Sequence, residues 1–161
     1  IFFKPKKKMK PRIPPDLFTE GDKALVAVAG GGTVKEMIRE AVSRIGGFER
    51  LNIKGKTVLV KPNCVSGEKN PATTNPEVVK AAVEILYEQG AKKVYVGDMS
   101  ALATISTVRN MKRNGIKEAA EDAGAEVVVF EDYDWVEVNC RGLCILIRRM
   151  LQNGFTMWTL S

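Results

Sequence analysis

Two charged side chains stand directly after apolar runs in the middle of the sequence. Lys61 follows the run TVLV, with Asn63 two residues later, and Asp98 and Ser100 follow the run KVYVG. An ammonium group and an amide can bind an anion, whereas a carboxylate can act as a base or as a metal ligand. If the two runs are neighbouring strands, these side chains form a ligand site, with Asp98 as the predicted metal ligand. The alternative, in which they are solvated strand ends, stays open.

The remaining candidate ligand residues precede two predicted helices. They are Gly31, Gly32, Thr33, Thr74 and Asn75. Asn75 followed by Pro76 predicts an N-cap and a first helical residue, because proline lacks the N–H that would be unpaired there. Thr33 with Glu36 fits a capping box. Helix N-termini favour anions, but neither GxGxxG nor GxxxxGK[ST] is present, so a tight strand-to-helix turn is an equal alternative for the glycines.

Four apolar runs recur at a nearly constant interval. They begin near residues 24, 57, 93 and 126, and a helical pattern follows each of the first three. This alternation predicts an α/β fold with an open, mainly parallel, doubly wound sheet of about four βα units. Ligands bind beyond the carboxyl ends of the strands in such sheets. Lys61, Asp98 and Glu131 each follow a run, so we expect them on one edge.

The cysteine and histidine content excludes several chemistries. The sequence has no histidine, and Cys64, Cys140 and Cys144 form no CxxC motif. Histidine-dependent catalysis is therefore excluded, and we expect no iron–sulfur cluster in this chain, since too few ligands remain. No catalytic residue is assigned, and both an enzyme and a non-catalytic domain fit these residues. No apolar run has the roughly 18 residues of a membrane span, and we expect a cytoplasmic protein.

The positive charge is concentrated at the N-terminus. Residues 1–12 contain six of the 25 basic side chains and no acidic one, so the rest of the chain balances 19 basic against 19 acidic groups. This predicts a basic, proline-rich disordered tail over residues 1–22 and an α/β domain over 23–138 without a specific nucleic-acid surface. Residues 139–161 contain no acidic side chain. Either a cationic amphipathic helix or non-native sequence from a shifted reading frame would explain them.

Three motifs carry a resemblance to a known family. KPN after a strand, TTNP before a helix and VGD after the next strand, in this order, resemble the domain of unknown function family 362. The resemblance covers about residues 24–138 and is densest over 57–132. It implies a prokaryotic α/β protein, and some relatives carry a ferredoxin-like iron–sulfur module. Relatives continue well past residue 138, so we expect a truncated, N-terminal part of such a protein.

The residues and the resemblance together lead to two expectations about function. The first is a domain that binds a small anionic or phosphorylated ligand, with or without a metal, at the strand carboxyl ends in redox-linked metabolism. The second is a non-catalytic docking or scaffold domain for a ferredoxin-like partner or an anionic membrane surface, which the basic tail would contact.

Overall fold

The computed structural model describes the backbone of residues 7–9, 17–100, 106–133, 136–140, 143–145 and 156–159, and the side chains of residues 17–100 and 106–133. The strands in this part of the chain are β1 (Lys7–Met9), β2 (Thr19–Glu20), β3 (Lys23–Ala24), β4 (Thr57–Lys61), β5 (Lys93–Asp98), β6 (Glu126–Val129), β7 (Val136–Cys140), β8 (Leu143–Ile145) and β9 (Thr156–Thr159). The helices are α1 (Val34–Arg44), α2 (Pro76–Glu88), α3 (Thr107–Asn114) and α4 (Ile116–Asp122). Short 3-10 turns lie at Phe48–Leu51 and Phe130–Asp132.

The central sheet is parallel and has four strands in the order β6-β5-β4-β9. Its two central described strands, β4 and β5, are rich in valine and largely buried, as expected for a parallel sheet. Alternate residues of β4 face opposite sides: Val58 and Val60 join the main core, whereas Leu59 joins a second, smaller cluster. The prediction of an open, parallel α/β sheet is confirmed.

The main core lies between the sheet and α2. Val79, Val83 and Leu86 of α2 pack against the valines of β4 and β5, and Met111 and Ile116 extend the same cluster from α3 and α4. The opposite face carries Leu59, Val128 and Phe130 with partly buried neighbours. None of the helices in the described part of the chain is long and apolar enough to cross a bilayer.

The predicted first strand is wrong. Only Lys23–Ala24 is a strand, and it pairs with Thr19–Glu20 in an antiparallel hairpin. Residues 25–30 have no regular secondary structure, and Val26 and Val28 are 83% and 78% exposed. To form a strand of the central sheet, this segment would have to pair with the outer edge of β4. That edge is paired with β9 instead.

The two ends of the chain contain strands that were not predicted. Lys7–Met9, within the predicted tail, pairs in parallel with Val136–Cys140, which in turn pairs with Leu143–Ile145. The amphipathic helix suggested for 139–161 is wrong at residues 143–145 and 156–159, which are strands. The other residues of both segments, including most of 1–12, lie outside the described part, and the predicted domain limits stay predictions.

The predicted helix boundaries are confirmed where local signals set them. The Thr33–Glu36 capping box forms, with the Thr33 N–H donating to Glu36 Oε2 over 2.7 Å. This backbone hydrogen bond lowers the pKa of Glu36. Asn75 caps α2 with Pro76 as the first helical residue. Gly115, with φ of +86°, separates α3 from α4 because glycine adopts this left-handed conformation without strain.

Candidate functional site

Lys61 and Asp98 form an ion pair at the carboxyl edge of the sheet. β4 and β5 run in parallel, with Val60 opposite Val96, so the last residues of both strands reach the same edge. Lys61 Nζ lies 2.8 Å from Asp98 Oδ1, and the N–H of Cys64 donates to Asp98 Oδ2 over 2.7 Å. Asp98 is only 5% exposed. The predicted shared edge is confirmed, but the charge of Lys61 is compensated by Asp98.

Ser100 is buried in a hydrogen-bonded network next to this pair. Its hydroxyl donates to the carbonyl of Cys64 (2.9 Å) and accepts from Asn110 Nδ2 (2.8 Å). Its N–H donates to Thr107 Oγ1 (2.9 Å). Ser100, Thr107 and Asn110 are all buried. This predicted ligand residue therefore fastens the start of the β4–α2 loop to β5 and α3.

Asn63, Thr74 and Asn75 close the β4–α2 loop. The Asn63 N–H donates to Thr74 Oγ1 over 2.8 Å, and the Thr74 N–H donates to the Asn63 carbonyl over 3.0 Å. Asn63 Nδ2 also donates to the carbonyl of Ala72. Asn75 Oδ1 accepts from the Glu77 N–H, which is one of the free donors of α2. These contacts stabilise the loop and the helix start.

The glycine loop lies apart from this network. Gly31 and Gly32 have φ values of +86° and +78°, and a Cβ on Gly32 would come within 2.6 Å of Glu36 Oε2. Thr33 hydrogen-bonds to Glu36 of its own helix. The loop was expected at the sheet edge because a strand was predicted before it. Because residues 25–30 are not in the sheet, no strand brings this loop to the carboxyl edge.

Glu131 follows β6 at the same edge as Lys61 and Asp98. Its Oε1 accepts from the Thr107 N–H at the start of α3, over 3.2 Å. Its Oε2 is buried and has no hydrogen-bond partner among the described residues. The predicted position of Glu131 is therefore confirmed, and one carboxylate oxygen of this residue contacts the N-terminus of α3.

Cys64 is a buried thiol that contacts Asn114. Asn114 Nδ2 lies 3.4 Å from Cys64 Sγ and donates to the Ser66 carbonyl over 3.1 Å. Burial raises the pKa of the Cys64 thiol, which keeps it protonated and unreactive at neutral pH. Asn110 and Asn114 are not among the predicted site residues. The sequence feature that could have pointed to them is a pair of amide side chains on the same face of α3 as Met111.

Cys64 and Asp98 are the predicted or possible ligands of an iron–sulfur or metal centre whose side chains the structure describes. No group of three or more His, Cys, Asp or Glu side chains that could hold a metal occurs in the described part of the chain. Cys64 is in contact with Asn114, and both oxygens of Asp98 already have partners. The metal role of Asp98 stays a prediction.

A groove of about 550 Å³ lies at the N-terminus of α2, on the carboxyl side of the sheet. Its lining residues are Lys69, Asn70, Asn75, Pro76, Lys112, Arg113, Asn114, Gly115 and Glu118. Three of them are basic and one is acidic. Within the residues whose side chains are described, the three basic groups form no ion pair, unlike Lys61 and Lys93. The groove therefore carries an excess of positive charge, with three basic side chains against the one carboxylate of Glu118.

The network around Asp98 and Ser100 positions the walls of this groove. Asn114 lines the groove and holds the Ser66 carbonyl. A Cβ on Gly67 would lie 3.1 Å from Arg113 Cδ, so the stem of Arg113 lies directly against the loop. The Thr73 hydroxyl donates to the Glu68 carbonyl over 2.7 Å, next to Lys69. Of the predicted ligand residues, Asn75 lines the groove and the others named above support the loop or lie elsewhere.

These features define an α/β protein with a parallel sheet, a buried polar network at its carboxyl edge and a basic groove beside it. The chain belongs to the domain of unknown function family (DUF362), whose model matches residues 58–151, more than half of the chain. The match begins at residue 58 and ends at residue 151, whereas the resemblance predicts a family region over about residues 24–138. No curated protein and no solved structure matches the sequence.

Proposed function

We propose that this domain binds a small polyanion, either a phosphorylated molecule or a polycarboxylate, in the groove at the N-terminus of α2. The observation that carries the proposal is the convergence of Lys69, Lys112 and Arg113 on one groove, with no ion pair to any of them among the described side chains. Three like charges at one place repel each other, and a bound polyanion would relieve that repulsion.

The chemical types of the groove side chains suit such a ligand. Arg113 offers a planar fork that can bind two oxygens of a phosphate or carboxylate at once, whereas Lys69 and Lys112 act as point charges. The volume of about 550 Å³ falls in the range of roughly 300–1,000 Å³ that is usual for small-molecule sites. The groove is open, and most of its lining residues carry a charge or an amide, which favours a hydrophilic ligand over an apolar one.

The predicted site residues contribute indirectly under this proposal. Lys61, Asp98 and Ser100 fix the β4–α2 loop, and this loop carries Lys69 into the groove. They are positioning residues in this scheme. The redox-linked setting and the ferredoxin-like partner come from the family resemblance; no contact of the groove supports either, and we propose the ligand class without them.

The test is a titration of inorganic pyrophosphate and citrate into the wild type and into Lys112→Met and Arg113→Met, followed by calorimetry at low ionic strength. Each charge-assisted hydrogen bond contributes about 1.5–3 kcal/mol, so each variant should lose about ten- to a hundredfold in affinity. Lys92→Met is the matched control, because Lys92 is exposed and does not line the groove. Equal affinity in all four proteins, or no binding to the wild type, would overturn the proposal.

A further inference from the structure

Three helices lie side by side in the structure, in the order α1, α2, α4. α2 contacts α4 through Tyr87, whose hydroxyl donates to the Gly124 carbonyl just after α4, over 2.8 Å. It contacts α1 through Glu84 and Glu88, and both of these carboxylates lie 2.7 Å from Lys35 Nζ. Because α4 packs against β6, α1 lies on the flank of α2 that faces away from β6. That flank is on the side of the outer edge of β4.

This position is the one that α1 would occupy if residues 24–29 were the strand beside β4. A strand, a helix and a parallel strand form a right-handed unit in nearly all proteins, with the helix packed over the two strands. α2 follows this rule between β4 and β5, since it packs against both. α1 is the helix that precedes β4 in the chain, and it lies beside α2 where the helix of such a unit would pack. The strand that should precede α1 is absent from this described part of the chain.

Residues 25–30 retain the properties of an unpaired strand. Their sequence LVAVAG is apolar, it alternates half-buried with exposed residues, and its two β-branched residues, Val26 and Val28, are exposed. The carbonyl of Val28 accepts a hydrogen bond from the side chain of Arg44, and Leu25 donates to the Phe18 carbonyl. No residue of α1 is fully buried, although its apolar residues recur at helical spacing. Residues 25–30 and α1 are therefore more exposed to solvent than their apolar sequences predict.

The outer edge of β4 is occupied by β9 in this structure. Thr156–Thr159 pairs with β4 in parallel, with Val58 opposite Thr156 and Lys61 opposite Thr159. A strand at residues 24–29 would have the same direction and would need the same edge. The two segments cannot pair there at once.

We propose that the outer edge of β4 accepts either of two strands of this chain, residues 156–159 or residues 24–29. The exchange would bring Gly31, Gly32 and Thr33 to the carboxyl edge beside Lys61, because they would then follow a strand parallel to β4. The edge of β4 is thus a strand-exchange site, and the exchange moves the glycine loop towards or away from the Lys61–Asp98 pair. This inference does not depend on the anion groove.

The test uses the full chain with the double substitution Met157→Pro/Trp158→Pro, followed by site-resolved amide hydrogen exchange. Proline has no backbone N–H. Substituting both Met157 and Trp158 therefore removes the N–H that donates to β4, whichever of the two residues carries it. In the wild type, amides 27–29 should exchange fast. In the variant the alternate amides that face β4, either Val28 or both Ala27 and Ala29, should exchange at least about tenfold more slowly, because they become hydrogen-bonded to β4, while β4, β5 and β6 stay protected. Adding Ala27→Pro should abolish the gain.

Two results would overturn the inference. The first is unchanged fast exchange at residues 27–29 once β9 is released. The second is loss of protection throughout β4, β5 and β6, because a replacement strand would have kept β4 covered. Protection at Val28 or Ala29 that persists after Ala27→Pro would show that another contact causes it, and would count equally against the exchange.

Discussion

The carboxylate of Asp98 joins two parts of the chain that lie 37 residues apart, since its Oδ1 lies 2.8 Å from Lys61 Nζ at the end of the neighbouring strand. The same carboxylate holds the N–H of Cys64, so one buried group fixes both the last residue of β4 and the loop that follows it. This arrangement makes Lys61 a partner of Asp98 rather than a free cation. Lys69, Lys112 and Arg113, which form no ion pair among the described side chains, line the groove next to the loop.

The first prediction concerns this ion pair. Lys61→Met should lower the free energy of unfolding by about 1–3 kcal/mol, because Asp98 would remain buried with its charge unpaired; exposure of about a third of the Lys61 side chain limits the effect. Urea unfolding of the two proteins measures the difference. Lys93→Met is the matched control, since it breaks an exposed cross-strand pair with Glu126 and should cost less than about 1 kcal/mol. Equal losses in the two variants would contradict the structural role of Lys61.

The second prediction concerns the start of α2. Asn75→Ala removes the side-chain acceptor for the Glu77 N–H and should destabilise the protein by about 1 kcal/mol. Asn75→Asp retains an acceptor and should cost much less. The difference between the midpoints of thermal unfolding of the two variants checks this. A loss of the same size in Asn75→Asp would show that the cap is not the cause.

The third prediction concerns the pH dependence contributed by Cys64. Burial raises the pKa of this thiol above its ordinary value of 9.0, so the unfolded chain loses its proton at lower pH than the folded one. The contribution to stability is fully present below about pH 9 and is lost as the pH rises towards the pKa of the folded state. Wild type should therefore lose stability more steeply between about pH 8.5 and 10 than Cys64→Ala. Parallel pH profiles for the two proteins would contradict this account.

The fourth prediction separates binding from stability at the groove. Lys112→Gln should change the free energy of unfolding by no more than about 0.5 kcal/mol at low ionic strength, because it removes one of three like charges in the groove but also a cation that the dipole of α3 favours in its last turn. Added salt should reduce any such change by screening. Urea unfolding at low and high ionic strength measures both effects, with Lys92→Gln as the control. A clear loss of stability in Lys112→Gln would show that Lys112 has a structural partner.

Local signals in the sequence determined the helix boundaries and the common edge of the predicted site. The Thr33–Glu36 box, the Asn75–Pro76 pair and the break at Gly115 depend on residues a few positions apart, so they form wherever the helix forms. Lys61 and Asp98 share an edge because parallel strands end on the same side. Neither result depends on the strand order, which the sequence did not predict.

Tertiary structure decided which polar groups have partners and which strands pair. The run at residues 24–29 has the composition of a strand, but a strand needs a free sheet edge, and β9 occupies that edge from more than a hundred residues away. Lys69 lies more than 40 residues before Lys112 and Arg113, and no pattern in the sequence links them. They meet because the β4–α2 loop rests on α3. Side-chain pairing over such distances follows from the packing of whole elements, and sequence periodicity carries no information about it.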